Sequence, residues 1–220
     1  MLKGILFDAA DVFYYRPGPT DRYALTLIRQ RGYSATLSPD DQKRLKQLHI
    51  EATEGRVSPE AYWDQLCLMH GVAIPQEREA LVEQINDYSN QVLPIPGGRE
   101  ALAGLKQRGF VLGIITDTMY PVEWKMRWLV QVGVAEFIDV VACSTVLGAH
   151  KPEPAMYLNA LQQAHLTPDE SAFVGHDAEE LDGARKAGMT TVAVNYDPEA
   201  KADYYCQSLL DLLNVPIFQR

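Results

Sequence analysis

Two hydrophobic rhythms divide the chain. Residues 2–7 form a short, largely apolar run that ends at Asp8. A run of that length with both faces apolar predicts a buried strand of a parallel sheet. Pro17, Gly18 and Pro19 then break the chain. From Thr20 to about Asn90 the apolar residues recur at helical spacing. Thr20 or Asp21 can cap a first helix that carries Tyr23, Leu25, Leu27 and Ile28. Ser38-Pro39-Asp40-Asp41 and Ser58-Pro59-Glu60-Ala61 each combine an N-capping hydroxyl, a proline at the first helical position and early acids. Residues 76–88 form a further helix, with Leu81, Val82 and Ile85 inward. No strand pattern interrupts this stretch, which therefore predicts a small all-helical unit.

After a Pro- and Gly-rich return linker at 92–98 the rhythm becomes α/β alternation. Helices are predicted over 100–108, 121–132, 154–164 and 178–187, and strands over 110–115, 138–142, 171–174 and 190–194. One more helix is expected within 208–218. Such alternation implies a parallel sheet with right-handed crossovers. Ligands of parallel sheets bind outside the carboxyl ends of the strands. That rule gathers Asp8, Thr116, the loop at Lys151 and the loop from Gly175 to Glu180 at one edge.

Composition narrows the function classes. The chain has 220 residues, 22% of them charged, and a net charge of −9. An acidic surface argues against nucleic acid or an anionic membrane as partner, though not against an anionic small molecule at a locally positive site. No apolar run approaches the roughly 20 residues that span a bilayer. The N-terminal run lacks the apolar core and cleavage site of a signal peptide. Cys67, Cys143 and Cys206 are widely spaced and odd in number. That pattern predicts reduced thiols in a cytoplasmic protein rather than a disulfide or metal framework. Oligomeric state stays open between monomer and homodimer.

Four strand-end segments carry the candidate chemistry: Phe7-Asp8-Ala9-Ala10-Asp11-Val12; Gly113-Ile114-Ile115-Thr116; Gly148-Ala149-His150-Lys151-Pro152-Glu153-Pro154; and Phe173-Val174-Gly175-His176-Asp177, continued by Glu180 and Gly183-Ala184. A carboxylate such as Asp8 can act as a nucleophile on phosphorus or carbon. Lys151 can supply the positive charge that lets two anionic groups meet. The Thr116 hydroxyl can donate to a transferring group. In order and spacing, the four segments resemble the motifs of the haloacid dehalogenase-like (HAD) hydrolase superfamily. The resemblance implies an α/β fold, a Rossmann-like parallel core over residues 1–15 and 93–220, and a helical cap of the C1 type over residues 16–92. It implies Asp8, Thr116 and Lys151 as catalytic residues and Asp117 and Tyr157 as substrate contacts. It also implies Mg²⁺ held by Asp8, the Ala10 carbonyl, Asp177 and Glu180. Hard oxygen donors suit that ion.

Two positions depart from the family's phosphatases. Ala10 stands where they carry a second Asp as general acid, a role that contributes typically ~10²–10⁴-fold in rate; Asp11 lies one residue out of phase and points elsewhere. His176 stands where their fourth motif begins with Asp. The expectation is a Mg²⁺-dependent phosphatase acting on a small phosphorylated metabolite. One alternative is a 2-haloacid dehalogenase, whose halide leaving group needs no proton and whose pattern Lys151 and Tyr157 match; it would need a cap arginine, with Arg29, Arg31 and Arg44 as candidates. The other is a catalytically impaired relative that binds a ligand.

Overall fold

The structure is a computed structural model that describes residues 1–34 and 36–219. Its centre is a six-stranded, all-parallel sheet. The strands are β1 (Gly4–Phe7), β4 (Val111–Thr116), β5 (Val140–Cys143), β6 (Ser171–Gly175), β7 (Thr190–Val194) and β8 (Tyr204–Cys206), in the order β5-β4-β1-β6-β7-β8. A separate two-stranded ribbon joins β2 (Tyr14–Tyr15) to β3 (Leu93–Pro94).

The alternation within β1 explains the layers. Ile5 and Phe7 point into one core together with Ala101, Leu102 and Leu105 of α5 (Gly98–Gln107) and Trp128 and Leu129 of α6 (Val122–Gln131). Leu6 points to the other face, against Met156, Tyr157 and Ala160 of α8 (Pro154–Ala164) and Leu181 and Ala184 of α9 (Ala178–Lys186). A strand covered on both faces must be apolar at every position, and β1 is fully buried. Burying each large side chain contributes roughly 1.5–3 kcal/mol. Gly113 of β4 is a close-approach position: a Cβ there would lie 2.5 Å from Val140 and 2.7 Å from Leu6 side-chain carbons.

Helices α1 (Thr20–Gln30), α2 (Pro39–Thr53), α3 (Pro59–Met69) and α4 (Pro75–Ser89) have a core of their own, which includes Ile28, Trp63, Leu66 and Ile85. The Ser38 and Ser58 side chains accept from the amides of Asp41 and Ala61, as their sequences predict. The chain leaves for this helical segment past β2 and returns through β3. The return linker is thus paired where it passes the exit, with Tyr14 opposite Pro94 and Tyr15 opposite Leu93.

Elsewhere the structure adjusts the expected elements. Residues 208–218 form two short 3₁₀ turns, Leu209–Asn214 and Pro216–Phe218, in place of one helix. Pro216 cannot continue a helix. The short helix α7 (Ser144–Leu147) and strand β8 were not foreseen. Among the described residues no helix is long and apolar enough to cross a membrane.

Candidate active site

The sheet reverses its order at β1: β4 and β5 lie to one side, and β6 and β7 to the other. Crevices in parallel sheets open at such reversals. Phe7 is in register with Ile114 of β4 and Val174 of β6. The next residue, Asp8, therefore emerges at the carboxyl edge between the ends of both neighbours. Its amide donates to the Val174 carbonyl at 2.9 Å, which fixes the backbone there.

Lys151 reaches this edge from the loop between α7 and α8. Its Nζ donates to Asp8 Oδ1 at 2.5 Å and to Glu180 Oε2 at 2.7 Å. Its own amide donates to both oxygens of the Asp117 carboxylate, at 3.2 and 3.1 Å. The lysine side chain is 1% exposed and that of Asp8 7%. The second oxygen of Asp8 faces His176, whose Nε2 lies 3.7 Å away. One buried ammonium thus bridges two carboxylates, and a third acid holds its backbone.

Burial acts against every charge in this cluster, and the charges act on one another. Desolvation alone would lower the pKa of Lys151, but Asp8, Glu180 and Asp117 outweigh it, so the ammonium holds its proton beyond the usual lysine range. Glu180 is pushed up to about 8, first by burial and then by the Asp8 charge, against the pull of Lys151. Burial also raises Asp117, with Lys151 pulling the other way.

The other expected site residues take different places. Thr116 ends β4 and is 1% exposed; its hydroxyl makes only a long 3.5 Å contact with the Asp117 carbonyl. Tyr157 is fully buried behind the cluster, where its hydroxyl donates to the Glu180 carbonyl at 2.8 Å. A Cβ on Gly183 would come within 2.7 Å of that hydroxyl, so α9 and α8 can meet here only over a glycine. Asp177 caps α9: its Oδ1 accepts from the amides of Glu179 and Glu180 at 2.8 and 2.9 Å. Ala10 bridges to Tyr14, and Asp11, at φ 55°, is exposed with its carbonyl held by Asn195.

A cleft adjoins the cluster on the side of the helical segment. One cavity, of about 290 Å³, is walled by Ala10, Arg16, Tyr62, Trp63, Asp117, Tyr120, Lys125 and Trp128, among others. A second, of about 430 Å³, shares Asp117, Thr118 and Met119 and adds Thr53 and His150. Asp8 lines neither cavity; the links between them are Ala10, two residues along the chain from Asp8, and Asp117, whose carboxylate holds the Lys151 amide. Of the arginines considered for an anion contact, Arg29 and Arg44 are exposed and Arg31 pairs with Glu77 at 3.7 Å. None of the three lines either cavity. Arg16 and Lys125 do, and His176 faces the nucleophile candidate. The sequence marked these three weakly: Arg16 lies in a Pro- and Gly-rich exit, and Lys125 looks like an ordinary polar position of a helix.

Donor chemistry can be weighed against a hard divalent cation. Mg²⁺ binds through one or two carboxylates, retains several waters and takes the rest of its shell from a phosphorylated ligand. Asp8 and Glu180 bring two carboxylates to the same ammonium, a number that fits that demand. Asp177 has one oxygen committed to the helix cap.

The comparisons with known proteins agree with this architecture. The sequence model described as haloacid dehalogenase-like hydrolase matches residues 23–194. Glyceraldehyde 3-phosphate phosphatase of Methanothermobacter thermautotrophicus is 31% identical over 222 residues, covering 96% of this chain and 94% of its own. Among solved structures, a predicted phosphoglycolate phosphatase from Haemophilus somnus superposes with a TM-score of 0.69 at 19% identity, over 99% of this chain and 98% of that one. A 2-haloacid dehalogenase from Pseudomonas syringae pv. Tomato does so with 0.68 at 21%, over 97% of each. With a family model matched over most of its length and a full-length relative 31% identical, the chain, whose Asp8 stands at the switch point of a parallel sheet, belongs to the haloacid dehalogenase-like hydrolase family.

Proposed function

We propose that the protein is a phosphomonoester hydrolase acting on a small, anionic phosphorylated metabolite, with residues 16–92 serving as a lid over the catalytic edge. The observation that carries this reading is the Asp8–Lys151 pair at the switch point. A carboxylate held by a buried ammonium can approach an anionic phosphoryl group, which an isolated carboxylate could not. The named phosphatase relative supports the same substrate class.

In this reading Asp8 attacks phosphorus with a carboxylate oxygen. The phosphorus–oxygen bond to the leaving oxygen breaks, the departing alkoxide takes a proton from solvent water, and an aspartyl phosphate forms. Water then attacks the same phosphorus, returns the aspartate and releases inorganic phosphate. Lys151 offsets the charge that accumulates on the transferred group. Thr116, at the end of the neighbouring strand, is the candidate donor to a phosphoryl oxygen, and the Asp117 carboxylate positions the lysine through its amide. Asp8, the Ala10 carbonyl and Glu180 would hold Mg²⁺, with Asp177 as a further acid in the same loop; the ion would draw negative charge from the phosphoryl oxygens. Ala10 offers no proton to the departing alkoxide, so substrates with acidic leaving groups turn over fastest.

Phosphate release from a panel of small phosphoesters, with and without Mg²⁺, tests the reading. Turnover is expected with the cation and lost in Asp8→Asn. An absence of turnover across the panel sinks it. Ala10 also motivates a second reading, carbon–halogen hydrolysis, in which no leaving-group proton is needed. Halide release from 2-chloropropionate in EDTA decides between the two, and we expect none.

A further inference from the structure

Two positive side chains converge on the cavity beside Ala10 without a carboxylate partner. Lys125 is 2% exposed. Its Nζ donates to the Tyr14 hydroxyl at 2.7 Å and to the Asp117 carbonyl at 3.4 Å, and it lies 5.3 Å from the centroid of the Trp128 ring. Arg16 donates from Nε to the Ser89 carbonyl at 2.9 Å, with its guanidinium carbon 4.5 Å from the same Trp128 ring. Among the described residues, neither cation is in an ion pair. Two acids share the cavity wall, but both face other demands. The Asp117 carboxylate takes the Lys151 amide, and Asp21 is exposed to solvent.

Buried lysines are rare unless paired, because an ammonium loses its hydration and needs compensation. Neutral acceptors and an indole face provide part of it, the latter through a cation–π contact. They do not relieve the repulsion of a second cation gathered at the same ring. An anion bound from outside would complete the set. The wall that holds the two cations also includes Ala10, two residues from Asp8, and the cavity of about 290 Å³ has room for only a small molecule.

Building on the phosphatase reading, we propose that Arg16 and Lys125 form a subsite for a second anionic group of the substrate. The substrate is then a small phosphomonoester bearing a carboxylate or a second phosphate, with Trp128 and Tyr120 as the apolar wall along its carbon chain. The subsite, and no contact to the phosphoryl group itself, selects such acids over neutral phosphoesters.

The test compares 2-phosphoglycolate with its uncharged amide, and includes ethylene glycol bisphosphate to separate a carboxylate from a phosphate as the second group. The wild-type kcat/KM should favour at least one charged compound over the amide by at least about tenfold, as charge-assisted hydrogen bonds warrant. In Lys125→Met and Arg16→Gln that ratio should fall towards one, mostly through KM. Equal turnover of all three compounds by the wild type overturns the subsite and leaves the phosphatase reading standing. If nothing is turned over, equilibrium binding to the Asp8→Asn protein replaces the rate. Preference for the charged compounds there, lost in Asp8→Asn/Arg16→Gln, supports the subsite while the phosphatase reading fails; equal binding overturns it. Two variants at separate positions guard against one that fails to fold.

Discussion

Lys151 and Lys125 are both buried ammonium groups near one strand edge, yet they are satisfied in opposite ways. Lys151 has two carboxylates within 2.7 Å and a third acid on its amide. Lys125 has a phenol, a carbonyl and an aromatic ring. In the first region the counter-charge belongs to the protein, so the cluster is preorganised. In the second it is missing, so the protein keeps a potential that an incoming anion can use. A buried cation saturated from within reads as machinery; one left short of a partner reads as recognition.

The sharpest way to break this contrast is to delete the saturated cation. Lys151→Met leaves Asp8 and Glu180 buried side by side without compensation. Removing one partner of a buried ion pair costs about 3–5 kcal/mol, so the denaturation midpoint of Lys151→Met should fall steeply and phosphate release should vanish. A variant as stable as the wild type would show that the ammonium does not organise the cluster.

Titration sharpens the comparison next. Burial and Asp8 push Glu180 up to about 8, and the group titrates jointly with its neighbours. Between the ordinary carboxyl range and that value the native state holds a proton that the unfolded chain has released. Stability in EDTA should therefore be greatest at low pH within that window and fall as pH rises through it, by at most about 1.4 kcal/mol per pH unit. Glu180→Gln should flatten the slope. Denaturation curves of the two proteins across pH 5–8 check this, and parallel slopes contradict it.

The fold was legible where apolar runs were long and flanked by clear stops. Strand β7 and helix α8 have the limits that the sequence predicts, 190–194 and 154–164. The paired residues of β2 and β3 were invisible, because two residues carry no period. Strand β8 was hidden for a related reason: Tyr204–Cys206 is three residues long with Tyr205 half exposed. In the site, the strand-end rule gathered Asp8, Lys151 and Glu180 at one edge: Asp8 directly follows β1, and Lys151 and Glu180 lie in the connections that leave β5 and β6. The rule is silent on caps: Asp177 spends an oxygen on the N-terminus of α9, and an Asp just before a helix is a capping signal in its own right. Arg16 and Lys125 were illegible for a deeper reason. They stand 109 positions apart in numbering, and only the fold sets both beside Trp128.

The smallest expected effect is the most discriminating. Lys125→Met keeps a flexible chain of similar length in the wall and removes a charge that no carboxylate balances. Removing a buried charge that has no ion-pair partner relieves its desolvation cost. The change leaves the Asp117 carbonyl and the Tyr14 hydroxyl without their donor, which costs about 1 kcal/mol each in the other direction. The two terms nearly cancel, and the ligand-free variant should unfold within about 1 kcal/mol of the wild type. A loss as large as that of Lys151→Met would mean that Lys125 is a structural strut whose neutral partners suffice. A near-zero change, together with a lost preference for charged substrates, would mean that the wall tolerates an unbalanced cation because the ligand supplies what the fold withholds.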